Sequence, residues 1–115
     1  MIEAQMTLLP ESEGGRLFPD GVFQGLRYRP HIVIGDPMQR KPIVVDGNRL
    51  TELYLGVAFS DGPHQVIYGQ PMKTRMLLAY WPKVDYEKVV PDATFTLREG
   101  GRIAGYGKII KRWIE

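Results

Sequence analysis

The chain contains no cysteine, so it has no disulfide framework, no thiolate metal ligands and no cysteine nucleophile. It contains only two serines, Ser12 and Ser60, and neither sits in a Gly-x-Ser-x-Gly elbow. A Gly-x-x-x-x-Gly-Lys-Ser/Thr loop is also missing, which removes the usual cradle for a nucleotide phosphate. The two histidines, His31 and His64, are 33 positions apart and lack metal-ligand spacing. Candidate carboxylate pairs, Glu11 with Glu13 and Asp85 with Glu87, fall in polar loops where a solvated charge is the ordinary state. A non-catalytic protein with no metal site and no cofactor is the expectation. No apolar run reaches the roughly 18 residues of a membrane span. The start, Met1-Ile-Glu-Ala-Gln-Met-Thr, lacks the basic and apolar regions of a signal peptide. A soluble cytoplasmic protein without membrane contact is predicted.

What is present points to β-structure. The 115 residues include 13 Gly and 9 Pro, distributed as turn punctuation. No window of ten or more shows a helical period, whereas alternation with a period of two recurs. Ile2, Ala4, Met6 and Leu8 alternate with Glu3, Gln5 and Thr7, a strand that Pro10 ends. A long polar loop, 11–24, follows; its length implies a packing or binding role. Leu26 to Ile34 reads as a strand interrupted by Pro30, hence an edge or a bulge. Ile43–Val45 and Leu53–Phe59 read as strands about an Asp46–Gly47 hairpin signal. Gln65–Tyr68 and the apolar run Met72–Trp81 are further strands, and 82–92 is loop.

The firmest local feature is Thr94-Phe-Thr-Leu-Arg-Glu-Gly-Gly-Arg102. Phe95 and Leu97 share one face and Thr94, Thr96 and Arg98 the other, as in a half-buried strand. Glu99-Gly100-Gly101 then supplies residues tolerant of positive φ for a tight hairpin. The returning strand ends in a basic stretch containing Lys108, Lys111 and Arg112. Net charge over the chain is +2, which permits nucleic-acid contact without requiring it. Arg27-Tyr28-Arg29 adds two cations that face outward if Tyr28 faces inward.

These pieces carry a resemblance. Glu3 to Arg16, with its Glu13-Gly-Gly-Arg16 loop, Tyr28-Arg-Pro-His-Ile-Val-Ile34, Val66 to Lys73 with Leu77-Leu-Ala-Tyr-Trp-Pro82, and Phe95 to Arg102 with Gly105-Tyr-Gly107 occur in that order. They resemble the C-terminal (third) β-barrel of elongation factor Tu and related translational GTPases, here as a stand-alone domain spanning 1–115. The resemblance implies an all-β, antiparallel Greek-key β-barrel of about six strands. It leaves a stretch of about 36–62 as an extra hairpin insertion, where the family has a short threonine-containing turn. It also implies a surface for structured RNA such as a tRNA stem, centred on His31, Glu99 and Gly100. The neighbouring cations Arg27, Arg29, Arg98 and Arg102 complete that surface. A stand-alone protein–protein interaction module, docking on a translation-related or other intracellular protein, is the alternative.

Overall fold

The computed structural model describes residues 1–45, 49–50 and 52–114. Its strands are β1 (Ile2–Leu8), β2 (His31–Ile34), β3 (Val44–Val45), β4 (Arg49–Leu50), β5 (Leu55–Asp61), β6 (Met72–Leu78), β7 (Thr94–Glu99) and β8 (Arg102–Arg112). Six of them close into an antiparallel barrel in the order β1-β6-β5-β2-β7-β8. Closure leaves no free edge, which is how such a fold avoids presenting unpaired backbone groups. The hairpin predicted at Glu99–Gly101 joins β7 to β8, with Gly100 at φ +58°.

The barrel interior is filled by residues that alternation aims inward, among them Ile2, Met6, Leu8, Ile32, Val57, Phe59, Met76, Phe95, Leu97 and Ile109. Each large apolar side chain buried this way contributes roughly 1.5–3 kcal/mol. Two loops complete the packing. Residues 9–30 insert Phe18, Phe23 and Tyr28 beside Phe59, with ring centroids 5.0–5.5 Å apart along the series. The loop after β6 inserts Tyr86 and Val89. The Tyr86 hydroxyl donates to the Gly56 carbonyl at 2.6 Å, and Arg112 donates to the carbonyls of Tyr86 and Val89. Both long loops are therefore structural members of the core.

Several strand expectations are corrected by this closure. Gln65–Tyr68 forms no strand, only a single parallel bridge from Tyr68 to Leu8. The reason is occupancy, since β1 is already paired with β6 on one side and β8 on the other. Between Leu26 and Pro30 the chain runs beside β5, giving the carbonyls of Tyr28 and Pro30 to Phe59 and Val57. Regular pairing begins only at His31, because Pro30 has no N–H to return. β6 ends at Leu78, and β5 runs later than expected, from Leu55 to Asp61. The predicted Asp46–Gly47 turn lies outside the described residues, although Val44 and Val45 do pair with Leu50 and Arg49.

The stretch 36–62 divides into two parts. Its last part, β5, is a barrel stave. Ahead of it, β3 and β4 form a separate two-stranded sheet, and Glu52 and Tyr54 cover the outer side of β7 at Arg98. That cover changes the character of β7, whose expected half-buried pattern is replaced by burial on both faces.

Close strand packing makes one glycine testable. A Cβ at Gly107 would collide with the Gln5 carbonyl oxygen and approach the Phe95 ring to 2.8 Å. Gly107→Ala is expected to lower stability by about 2 kcal/mol through overpacking, whereas Gly35→Ala, with open space around it, should stay near wild type. Thermal melts of the two variants check this; equal melting temperatures would contradict the packing described.

Candidate nucleic-acid interface

The β7–β8 hairpin places two consecutive charged residues, Arg98 and Glu99, before the Gly100–Gly101 tip. Alternation sends their side chains to different neighbours, and both are held within the protein.

Arg98 points outward from the barrel but is sealed beneath Glu52 and Tyr54, with no solvent exposure. Its guanidinium grips the Glu52 carboxylate bidentately, at 2.9 and 2.8 Å. Nε donates to Thr96 Oγ1 at 2.8 Å, and one terminal nitrogen donates to the Tyr54 hydroxyl at 3.1 Å. Glu52 accepts further bonds from the Ile43 N–H and the Gln39 side-chain amide, each at 2.8 Å. The Arg98 guanidinium, followed by these other donors, holds the Glu52 carboxyl down to about 2, against the partial burial that opposes it. Burial is the largest single influence on Arg98 and lowers its proton affinity, but hydrogen bonding and charge attraction to Glu52 and Tyr54 together outweigh it and the net direction is up.

Glu99 lies on the other side of the hairpin. Burial would raise its pKa, yet Arg16 and Tyr28 reverse the direction and the carboxyl is held below its ordinary value. Arg16 makes a two-pronged contact, Nε to Oε1 and a terminal nitrogen to Oε2, both at 2.7 Å. The Tyr28 hydroxyl donates to Oε2 at 2.7 Å. Burial and the adjacent carboxylate push the Tyr28 phenol well above its usual range. The Arg16 guanidinium also sits 3.9 Å over the Phe18 ring. The Gly-Gly-Arg loop is thus pinned to the hairpin through its arginine.

The tip itself is open. A side chain at Gly100 or Gly101 would meet nothing within 4 Å, and both glycines are exposed. The Gly100 carbonyl accepts from the Tyr54 hydroxyl at 3.1 Å, which steadies the turn. Arg102 is exposed beside it and pairs across the ladder with Glu99. On the neighbouring strand, His31 stands opposite Arg98 and packs against Tyr54, with ring centroids 5.9 Å apart. Arg27 and Arg29 flank the half-buried Tyr28 and are exposed, which is the alternation that the triplet predicts.

Of the seven residues expected at an RNA surface, Arg27, Arg29, Gly100 and Arg102 are exposed and His31 is partly so. Arg98 requires correction: it is an internal residue whose donors face Glu52, Thr96 and Tyr54, and it cannot reach a phosphate. Glu99 is largely engaged as well, since its carboxylate serves Arg16 and Tyr28. The residues that sequence reasoning missed are Tyr54 and Glu52, both from the segment outside the barrel. Other cations gather elsewhere, on the outer faces of β6, β1 and β8. There Lys73 and Lys108 flank Gln5, and Arg75 and Lys111 flank Glu3.

Among the described residues no group of three or more His, Asp or Glu side chains could hold a metal ion. No helix there is long and apolar enough to cross a membrane. Comparison with protein-family models, with curated proteins and with solved structures gives no match for this chain. The functional reading therefore depends on the site.

Because the folded Glu52 carboxyl titrates at about 2, below the ordinary 4.5, it stabilises the fold above the ordinary value. That contribution is lost as pH falls from 4.5 towards 2, and Glu99 acts in the same direction. Glu52→Gln should be less stable at neutral pH, by about 3 kcal/mol for a broken buried pair. It should also show a shallower loss of stability on acidification. Urea melts across this pH range check both; a wild-type slope in the variant would overturn the assignment.

Proposed function

We propose that this chain is a non-catalytic, translation-factor-like Greek-key barrel that binds structured RNA, such as a tRNA stem, at the tip of the β7–β8 hairpin. The observation that carries this reading is the charge state of that face. Both carboxylates, Glu52 and Glu99, are paired with guanidiniums of the protein itself, while Arg27, Arg29 and Arg102 remain exposed and the Gly100–Gly101 turn is uncovered. Exposed cations suit a phosphate backbone, and a turn without side chains allows close approach to phosphates and 2′-hydroxyls. The motif resemblance to the third barrel of elongation factor Tu supports the same face, through His31, Glu99 and Gly100. Here Glu99 acts by holding the turn in place rather than by touching the ligand.

A protein-docking reading has a separate observation in its favour. Met1, Leu77, Trp81, Trp113 and Ile114 line a hollow of about 200 Å³. Trp81 is 48% exposed and Ile114 78%, an apolar rim of the type that interaction surfaces use. Arg112 also lines it, roughly 30 Å along β8 from Arg102.

Binding of bulk tRNA across a salt series separates the two. RNA binding predicts affinity that falls steeply with salt, and Arg29→Ala or Arg102→Ala should each reduce the slope by about one unit. Arg98→Ala should instead appear as lost stability. If no tRNA is bound even at low salt, the RNA reading fails. Partner capture that is abolished by Trp81→Ala would then support docking.

A further inference from the structure

The outer side of β2 and β5 carries a feature that the hairpin tip does not use. His31 and Gly56 are direct cross-strand partners. Their neighbours Ile32, Leu55 and Val57 belong to the core, so His31 and Gly56 face away from it. The Tyr80 ring occupies the space that a side chain at Gly56 would fill, coming so close that no Cβ could be accommodated there. Tyr80 is nevertheless 55% exposed. On the other side of His31 lies Tyr54, ring to ring at 5.9 Å. Three rings, Tyr54, His31 and Tyr80, therefore follow one another across the strands on the outer surface.

Hydrogen bonds hold the Tyr54 side chain and the backbone that carries Tyr80. Tyr54 is held by its hydroxyl, which donates to the Gly100 carbonyl and accepts from Arg98. Tyr80 is held by its backbone, whose N–H donates to the Tyr86 hydroxyl at 3.2 Å. That hydroxyl in turn donates to the Gly56 carbonyl, so Tyr86 ties Tyr80 to the strand it covers. The cations on this surface are Arg29, two residues before His31, and Arg102 beside the tip. The carboxylates nearest it, Glu52 and Glu99, are already paired. Surface rings flanked by exposed guanidiniums match what unpaired nucleobases and their phosphates need.

We infer that the strip Tyr54–His31–Tyr80 stacks unpaired bases of the bound RNA, so the preferred ligand is a stem that continues into a single strand rather than a plain duplex. This rests on the RNA reading above and adds to it the form of the ligand.

The test compares a blunt RNA duplex with the same stem carrying a single-stranded tail, by fluorescence anisotropy at fixed salt. The tailed RNA should bind about tenfold more tightly, the effect of stacking one base. Tyr80→Ala should remove most of that advantage, Tyr80→Phe should keep it, and Tyr80→Leu, which still covers Gly56, should lose it. Equal affinities of the wild-type protein for the two RNAs overturn the stacking strip and leave stem binding intact. Retention of the advantage in Tyr80→Leu also overturns it. Binding of neither RNA overturns the RNA reading itself.

Discussion

The buried pair between Arg98 and Glu52 governs how this surface is built. A guanidinium with no solvent exposure is costly to desolvate, and the cost is offset only if its donors are met. Here one side of the guanidinium faces a carboxylate bidentately, and the remaining bonds go to Thr96 and Tyr54. The carboxylate is satisfied in turn by Ile43 and Gln39. Removing either partner strands a charge in a dry site. The pair thereby ties Gln39, Ile43 and Glu52 to β7 and converts a strand with one wet face into one buried on both sides. It also brings Tyr54 to the hairpin turn and against His31, so a structural interaction sets the position of candidate binding residues.

Much of the barrel was legible from local pattern. β1 shows clean alternation and a proline stop, and Glu99-Gly100-Gly101 is a turn signal whose Gly100 takes the positive φ expected of it. What was not legible depends on distant partners. The sequence around Arg98 reads as a strand with one polar face, and nothing local indicates that the face is covered. Its partner lies 46 positions earlier, in a segment with weak patterning of its own. A hint existed in the mixture of Thr96 and Arg98 with apolar neighbours, since an arginine in a buried strand needs a carboxylate somewhere. Gln65–Tyr68 failed for a related reason. Its composition suits a strand, but barrel closure had already used both sides of β1.

The candidate site shows the same division. Exposure of Arg27 and Arg29 followed from their alternation about Tyr28. The different fates of Arg98 and Arg102, which stand on either side of one turn, did not follow from spacing. Arg98 is consumed by the fold and Arg102 is left at the surface. The Glu-Gly-Gly-Arg at 13–16 proves to be linked to its counterpart at 99–102 in space, because Arg16 binds Glu99. The two glycine turns thus form one assembly, in which the first loop steadies the second.

The RNA-binding face we propose is held in shape by paired charges that do not themselves touch the ligand. Titrating isotope-labelled protein with tRNA, followed by NMR, tests it most directly. Chemical-shift changes are expected at Arg29, His31, Gly100 and Arg102, with the side-chain signals of Arg98 unmoved. Changes confined to Trp81, Trp113 and Ile114, or no changes at all, would contradict it.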